Sequence, residues 1–168
     1  GGNTLTNGGA TDMFIVIYDP WGGVVWAKRI GGTNNDKVHG LAIDFNGDLL
    51  ITGIYFSNVL SFGSVFLTNT TAGYSDLFLA KLDPSGTILW AKKGGGNNND
   101  ISNSISSDPT GNIFIGGSFS STTLTFGTSS VTKTGNQDAF IARFDMNGNY
   151  NWAVTSSGTG SMAECTSV

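Results

Sequence analysis

Cysteine, proline and charge are all scarce in this chain, and each scarcity removes a class of structure or function. Cys165 is the single cysteine, so no disulfide can close within the chain. A protein with a large enough core manages without one in any compartment, so the redox environment stays open. Charged residues make up only 12% of the chain, 8 Lys plus Arg against 12 Asp plus Glu, for a net charge of -4. The basic residues form no patch, which argues against electrostatic capture of nucleic acid. There is also no polybasic segment, and the longest clean apolar run, "MFIVIY", is strand-sized, far short of a membrane-spanning helix. No segment shows helical periodicity with caps. The opening "GGNTLTNGG" has neither Met, basic residues nor an apolar core, so it does not read as a signal peptide. We expect a mature segment or an excerpt of a longer protein.

What is abundant is glycine. The 168 residues include 25 Gly but only 3 Pro, and 39% of them are hydrophobic. That apolar content is too high for disorder. A chain of this length can bury roughly 70% of its unfolded surface as one ordinary domain. Apolar segments separated by Gly, Asn, Ser and Thr suit many short strands joined by tight turns.

The chain repeats itself. "DMFIVIYDPWGGVVWAKRIGG" starts at Asp12, "DLFLAKLDPSGTILWAKKGGG" at Asp76 and "DAFIARFDMNGNYNWAVTSSG" at Asp138. The offsets are 76−12=64 and 138−76=62. "DKVHGLAIDFNGDLLITGIYFS" from Asp36 likewise matches "DISNSISSDPTGNIFIGGSFSS" from Asp100, again 64 apart. A tail follows each, "VLSFGSVFLTN" and "TLTFGTSSVTK", and the opening "GGNTLTN" matches the end of that tail. Self-similarity at such a period marks a repeat architecture.

Within the repeat, Asp-x-x-Gly occurs five times at equivalent places: Asp19 to Gly22, Asp44 to Gly47, Asp83 to Gly86, Asp108 to Gly111 and Asp145 to Gly148. Asp first and Gly fourth is the preference of a type I turn. The Asp side chain can bond the backbone two residues on, and Gly accepts the positive φ of a following bulge. Each motif is therefore expected to be a hairpin corner. A calcium loop is the rival reading for Asp44, Asn46 and Asp48, which alternate as calcium ligands do. The next copy has Asp108, Thr110 and Asn112 there, with no suitably placed Glu. Calcium stays a weak candidate, and no other cofactor is expected.

Four strands per unit are expected, at about 38–44, 48–56, 77–82 and 87–93 in the clearest copy, with a small extra hairpin in "LSFGSVFLTN". Short turns make the paired neighbours antiparallel. Four antiparallel strands per repeat, in an array, fit the blades of a β-propeller. The pattern "D-x-F-hydrophobic-A-K-x-D-x-x-G", then "W-A-K" and "GG-x-x-x-D", then "D-x-x-G" before an apolar strand resembles the SBBP β-propeller repeat. Residues 76–117 carry it almost unbroken. The third copy departs from it, with "WAVTSSGTGSMAECTSV" where Lys and "GGxxxD" are expected, so that corner is expected to differ in conformation. The resemblance implies a large secreted or cell-surface bacterial protein in which the repeats serve as display or binding scaffolds.

The phase divides the all-β chain into the outer half of a first blade at 1–36, blade units at 37–100 and 101–162, and the first strand of a further blade at 163–168. The ring is incomplete, because propellers close with about four to eight blades. Further blades of the same polypeptide or other copies are the expected partners.

Among single residues, Trp26, Trp90 and Trp152 recur once per unit and read as blade-to-blade packing, with sugar stacking as the alternative. Trp21 lies in a turn where the other copies have Ser85 and Asn147, and is a candidate for contact with a glycan or a partner. Crowding by a neighbouring blade is its competing reading. His39, the single histidine, aligns with Asn103, and both are expected to line a wet central channel. Trp21, His39 and Asn103 are thus the ligand-binding candidates. Lys28, Arg29, Lys92 and Lys93 are expected to solvate the outer edge. The "NTT" at Asn69 has the form of a glycan acceptor, a weak sign in a bacterial protein. Cys165 reads as a packed side chain, since no base is identifiable beside it. Nearly all Asp residues fall at repeated positions and read as structural. Only Asp48 and Glu164 stand outside them, and nothing pairs them as a glycosidase requires. We therefore expect a non-enzymatic, extracellular or surface module used in adhesion or in protein or glycan binding. The alternatives are part of a carbohydrate-active propeller with its catalytic groups elsewhere, or a structural spacer or filament subunit.

Overall fold

The computed structural model describes residues 4–156, 158, 160 and 162–168. Among these residues, fourteen strands follow the repeat. A two-stranded sheet, β1 (Met13–Tyr18) with β2 (Val24–Ile30), is followed by a four-stranded sheet of β3 (Asp36–Ile43), β4 (Leu49–Tyr55), β7 (Asp76–Leu82) and β8 (Ile88–Gly94), side by side in that order. A second such sheet holds β9 (Asp100–Ser107), β10 (Ile113–Phe119), β13 (Asp138–Phe144) and β14 (Tyr150–Thr155). Every pairing within them is antiparallel. These are two full propeller blades and the outer half of another. The extra hairpin is present in both full units, as β5 (Val59–Phe62) with β6 (Val65–Thr68) and as β11 (Thr123–Phe126) with β12 (Ser129–Thr132).

Strand bounds differ from the expected ones by a residue or two. β3 begins at Asp36, which pairs with Tyr55, and stops at Ile43 because Asp44 already belongs to the corner. Segment 163–168, expected as a strand, lies alongside β9 and β10 without a ladder of its own. Ala163 N–H donates to Gln137 O and Cys165 N–H to Gly117 O. Part of the departing third-copy corner, at 157, 159 and 161, and the first three residues lie outside the described residues.

Two apolar layers hold the sheets together. One joins Met13, Ile15 and Ile30 of the half-blade to Ile51, Phe78, Ala80 and Leu82 of the first full blade, with Leu60 and Phe62 of its hairpin. The other joins Leu50, Leu77 and Leu79 to Ile105, Ile115, Phe140 and Phe144, again with Phe126 of the hairpin. Successive residues of β4 and β7 thus enter opposite layers, and both strands are buried throughout. A strand covered on both faces reads as a continuous apolar run. β1 departs from that expectation. One face is buried, whereas Phe14 and Tyr18 on the other are exposed, because no sheet lies over them.

Candidate functional site

At one end of the blades stand the five corners. In each, the Gly N–H donates to the Asp carbonyl three residues back, at 2.9 to 3.1 Å. Each Asp Oδ1 accepts the N–H groups two and four residues on. All five glycines have positive φ, between 74 and 87°. The corner reading is correct in every copy.

The corners also receive aromatics from the preceding blade. Trp26 Nε1–H donates to Pro84 O at 2.9 Å, and its ring lies over Gly86, where a Cβ would come within 3.0 Å. Trp90 covers Gly148 in the same way, and Phe45 covers Gly111. Blade-to-blade packing is therefore what the repeated Trp does at Trp26 and Trp90. Trp21 stands at the tip of the Asp19–Gly22 corner, 90% exposed, with nothing near Gly22.

The basic residues after the repeated Trp do more than solvate an edge. Lys28 donates to Gly86 O of the next blade. Arg29 pairs with Asp12, and Lys93 donates to Thr68 O and Thr70 Oγ1 beside Asp76. β2 and β8 are edge strands as expected, but Lys28 and Lys93 also reach a corner and a hairpin outside their own strand, contacts that the sequence of one strand does not reveal.

The weak calcium candidate brings its two carboxylates together, but around a side-chain cation. Lys81 Nζ lies 2.7 Å from Asp44 Oδ2 and 3.0 Å from Asp48 Oδ2, with all three side chains largely buried. Asn46 contributes its backbone N–H to Asp44. Burial pushes the Asp44 carboxyl up, yet hydrogen bonds from Lys81 and the corner backbone outweigh it and hold Asp44 below its ordinary range. The ammonium takes the place a metal would need.

His39 and Asn103 do not come together; His39 joins β3 to β9, and Asn103 joins β9 to segment 163–168. Both are bulge residues, skipped by the registers of β3 with β4 and of β9 with β10. A bulge re-aims the side chain. His39 Nδ1 lies 3.1 Å from Ser102 O, and since a carbonyl only accepts, Nδ1 carries the proton. Asn103 Nδ2 donates to Cys165 O at 3.1 Å and to Glu164 Oε1 at 2.7 Å.

At the opposite end, buried aspartates pin the blade connections. Asp36 accepts from Ser57 N and Oγ, and Asp100 accepts from Ser121 N and Oγ. Burial, with the Asp76 charge adding to it, pushes the Asp100 carboxyl up to about 7. Ser57 and Ser121 were not singled out from sequence, although 121−57=64 is the repeat period. Asp76 accepts from Thr70, and Asp138 from Thr134 and Gly135.

Between the two full blades, at the outer rim, lies an open cleft of about 720 Å³. Lys92, Phe126, Asn149 and Tyr150 line it together with Thr125 and Thr128. The Phe126 and Tyr150 rings stack at 5.4 Å and 15°. Lys92 occupies the place of Lys28 but has no hydrogen-bond partner among the described residues. No sequence motif marks this cleft, which is made by residues of two blades.

Against known proteins, the family model of the SBBP beta-propeller repeat matches residues 25–53. This stretch is similar to the SBBP-type β-propeller repeat. It runs from β2 through the link into β3 and β4, so the family unit straddles two sheets. The chain is also 29% identical over 170 residues to an uncharacterized WD repeat-containing protein, L264, of Acanthamoeba polyphaga mimivirus, an alignment covering 92% of this chain and 12% of that protein. It is 24% identical over 153 residues to the regulatory protein FlaEY of Caulobacter vibrioides, covering 88% of this chain and 16% of that one. The chain therefore spans less than a fifth of the length of either relative.

Proposed function

We propose that this propeller segment is non-catalytic and serves a secreted or cell-surface protein in adhesion, by binding glycan or protein. One observation carries the reading: each of the chain's 12 carboxylates already has a structural task. Asp19, Asp44, Asp83, Asp108 and Asp145 hold corners. Asp12, Asp36, Asp76, Asp100 and Asp138 tie blade ends. Asp48 binds Lys81, and Glu164 accepts from Asn103. Asp12 and Asp36 do border one shallow depression together. Asp12 is held by Arg29 and Gly8, however, and Asp36 by Gly32 and Ser57, so among the described residues neither is free to act as the acid or nucleophile that hydrolysis of a glycoside needs.

The rim cleft is the surface best suited to recognition. Its volume lies in the range of ligand sites, and a stacked aromatic pair flanked by threonines, an amide and an ammonium suits a polar sugar. The test is binding of the labelled chain to a glycan array and to surface-protein extracts, with Lys92→Ala and Asn149→Ala beside the parent. Saturable glycan binding weakened at least several-fold by either substitution supports the reading. Binding indifferent to both removes the cleft from it. Turnover of a chromogenic glycoside, lost in Glu164→Gln, would overturn the non-catalytic assignment.

A further inference from the structure

The chain joins one sheet to the next at two outer junctions in repeat register, and the two differ at three places. In the first, β2 meets the β5–β6 hairpin through a bridge between Gly31 and Ser61, and Lys28 spends its ammonium on Gly86 O. In the second, β8 meets the β11–β12 hairpin, where Gly95 and Thr125 exchange both backbone hydrogen bonds at 3.1 Å. Lys92 stands 92−28=64 residues after Lys28, yet it donates to nothing among the described residues and lines the rim cleft. Ile88 of the first junction is replaced by Tyr150, since 150−88=62, and Thr87 by Asn149, since 149−87=62. All three departures line the same cleft. It is walled by the two full blades and owes nothing to the uncovered half-blade.

The cleft carries charge of one sign. Lys92 and Lys93 line it and no Asp or Glu does, in a chain whose net charge is -4. Lys93 is engaged by Thr68 O and Thr70 Oγ1, 3.6 Å from the buried Asp76. Asp145 of the adjoining corner feels the Lys92 charge without forming an ion pair, and its oxygens accept from Asn147 and Asn149. Lys92 is thus a free cation with no competing carboxylate in the cleft. β8 is fastened on either side of it, by Trp90 on Gly148 and by Gly95 on Thr125. The walls are therefore set before a ligand arrives, which spares the cost of ordering them. We infer that the glycan held at the rim is an acidic one, its carboxylate or sulfate on Lys92 and its ring against Tyr150, with hydroxyls to Asn149 and Thr128. This rests on the reading of the cleft as the glycan surface. A neutral sugar would satisfy the amide and the threonines but leave the ammonium to water. An ion pair at an exposed lysine gives on the order of fivefold in affinity, and salt screens it.

The experiment is titration of the whole chain with two matched pairs of polymers, at low and at high salt. Oligogalacturonate is set against its neutral methyl ester, and dextran sulfate against dextran. The acidic member of at least one pair is expected to bind on the order of fivefold tighter than its neutral partner at low salt, with the margin shrinking as salt is added. The pair that shows the margin tells carboxylate from sulfate. Lys92→Ala should lower acidic binding to the neutral level, whereas Lys92→Arg should keep the margin. Lys92 is exposed, and thermal melting checks that both variants fold as the parent does. Equal binding of acidic and neutral members overturns the inference and leaves glycan binding standing. A margin that survives in Lys92→Ala overturns the assignment to Lys92. Binding of neither acidic polymer overturns the inference as well, and the glycan array then decides the wider reading alone.

Discussion

His39 Nδ1 and the Ser102 carbonyl oxygen, 63 residues apart, sit 3.1 Å from each other across the inner strands of two blades. Asn103 repeats the arrangement one unit later on Cys165 O. The pair shows a side chain joining β3 and β9, which belong to different sheets and share no ladder. Replacing His39 by Ala should cost about 1 kcal/mol, the net worth of one hydrogen bond. His39→Asn should recover most of it, since Asn already does this at 103. Urea unfolding of the two variants checks both values.

Lys81 holds two carboxylates that would otherwise face each other in a buried place. Lys81→Met should destabilise the protein by about 3 kcal/mol, as for a broken buried pair. Adding Asp48→Asn should return part of the loss by removing one of the stranded charges. If the double variant is no more stable than the single one, the repulsion argument fails.

Stability should depend on pH in a particular direction near neutrality. Asp100 has its folded-state pKa raised from 3.8 to about 7, by burial first and by the Asp76 charge in part. The folded state therefore holds a proton that the unfolded state has lost across this window. Stability is greatest toward pH 4 and falls as the pH rises to about 7, then levels off. Asp100→Asn should flatten that slope. Below this window the sign reverses, because Asp12, Asp44 and Asp138 are held below their ordinary range and must be protonated on unfolding in acid. Denaturation midpoints measured across the range, with and without Asp100→Asn, decide the matter.

The corner glycines should separate backbone cost from packing cost. At Gly63, which lies in the turn between β5 and β6 rather than in an Asp corner, with φ 81° and open space beside it, Ala meets only the penalty of the left-handed conformation, about 1 kcal/mol. At Gly86 and Gly148, Ala must also displace Trp26 or Trp90, whose rings would lie 3.0 and 2.9 Å from the new Cβ. These two variants should be clearly less stable than Gly63→Ala. Equal losses at all three would mean that the indoles yield without cost.

The sequence by itself determined the repeat, the corners and the sheets. The hydrogen bonds of an Asp-x-x-Gly corner close within five residues, so Asp83 and Gly86 dictate the turn whatever surrounds them. Likewise "LFLAKL" is apolar at successive positions because both its faces are covered, and that pattern survives in one dimension. What Lys81, His39 and Trp21 do could not be read there. Lys81 meets Asp44 and Asp48 only because β7 lies against β4 in one register, with Lys81 opposite Leu50. His39 reaches Ser102 only because a bulge in β3 turns its side chain toward the next blade. Trp21, alike in composition to the Trp residues that pack, is exposed because no blade lies over its corner. Local bonds are set by neighbours in the chain. Pairings across blades depend on register, bulge and stacking, and those exist only once the sheets have packed.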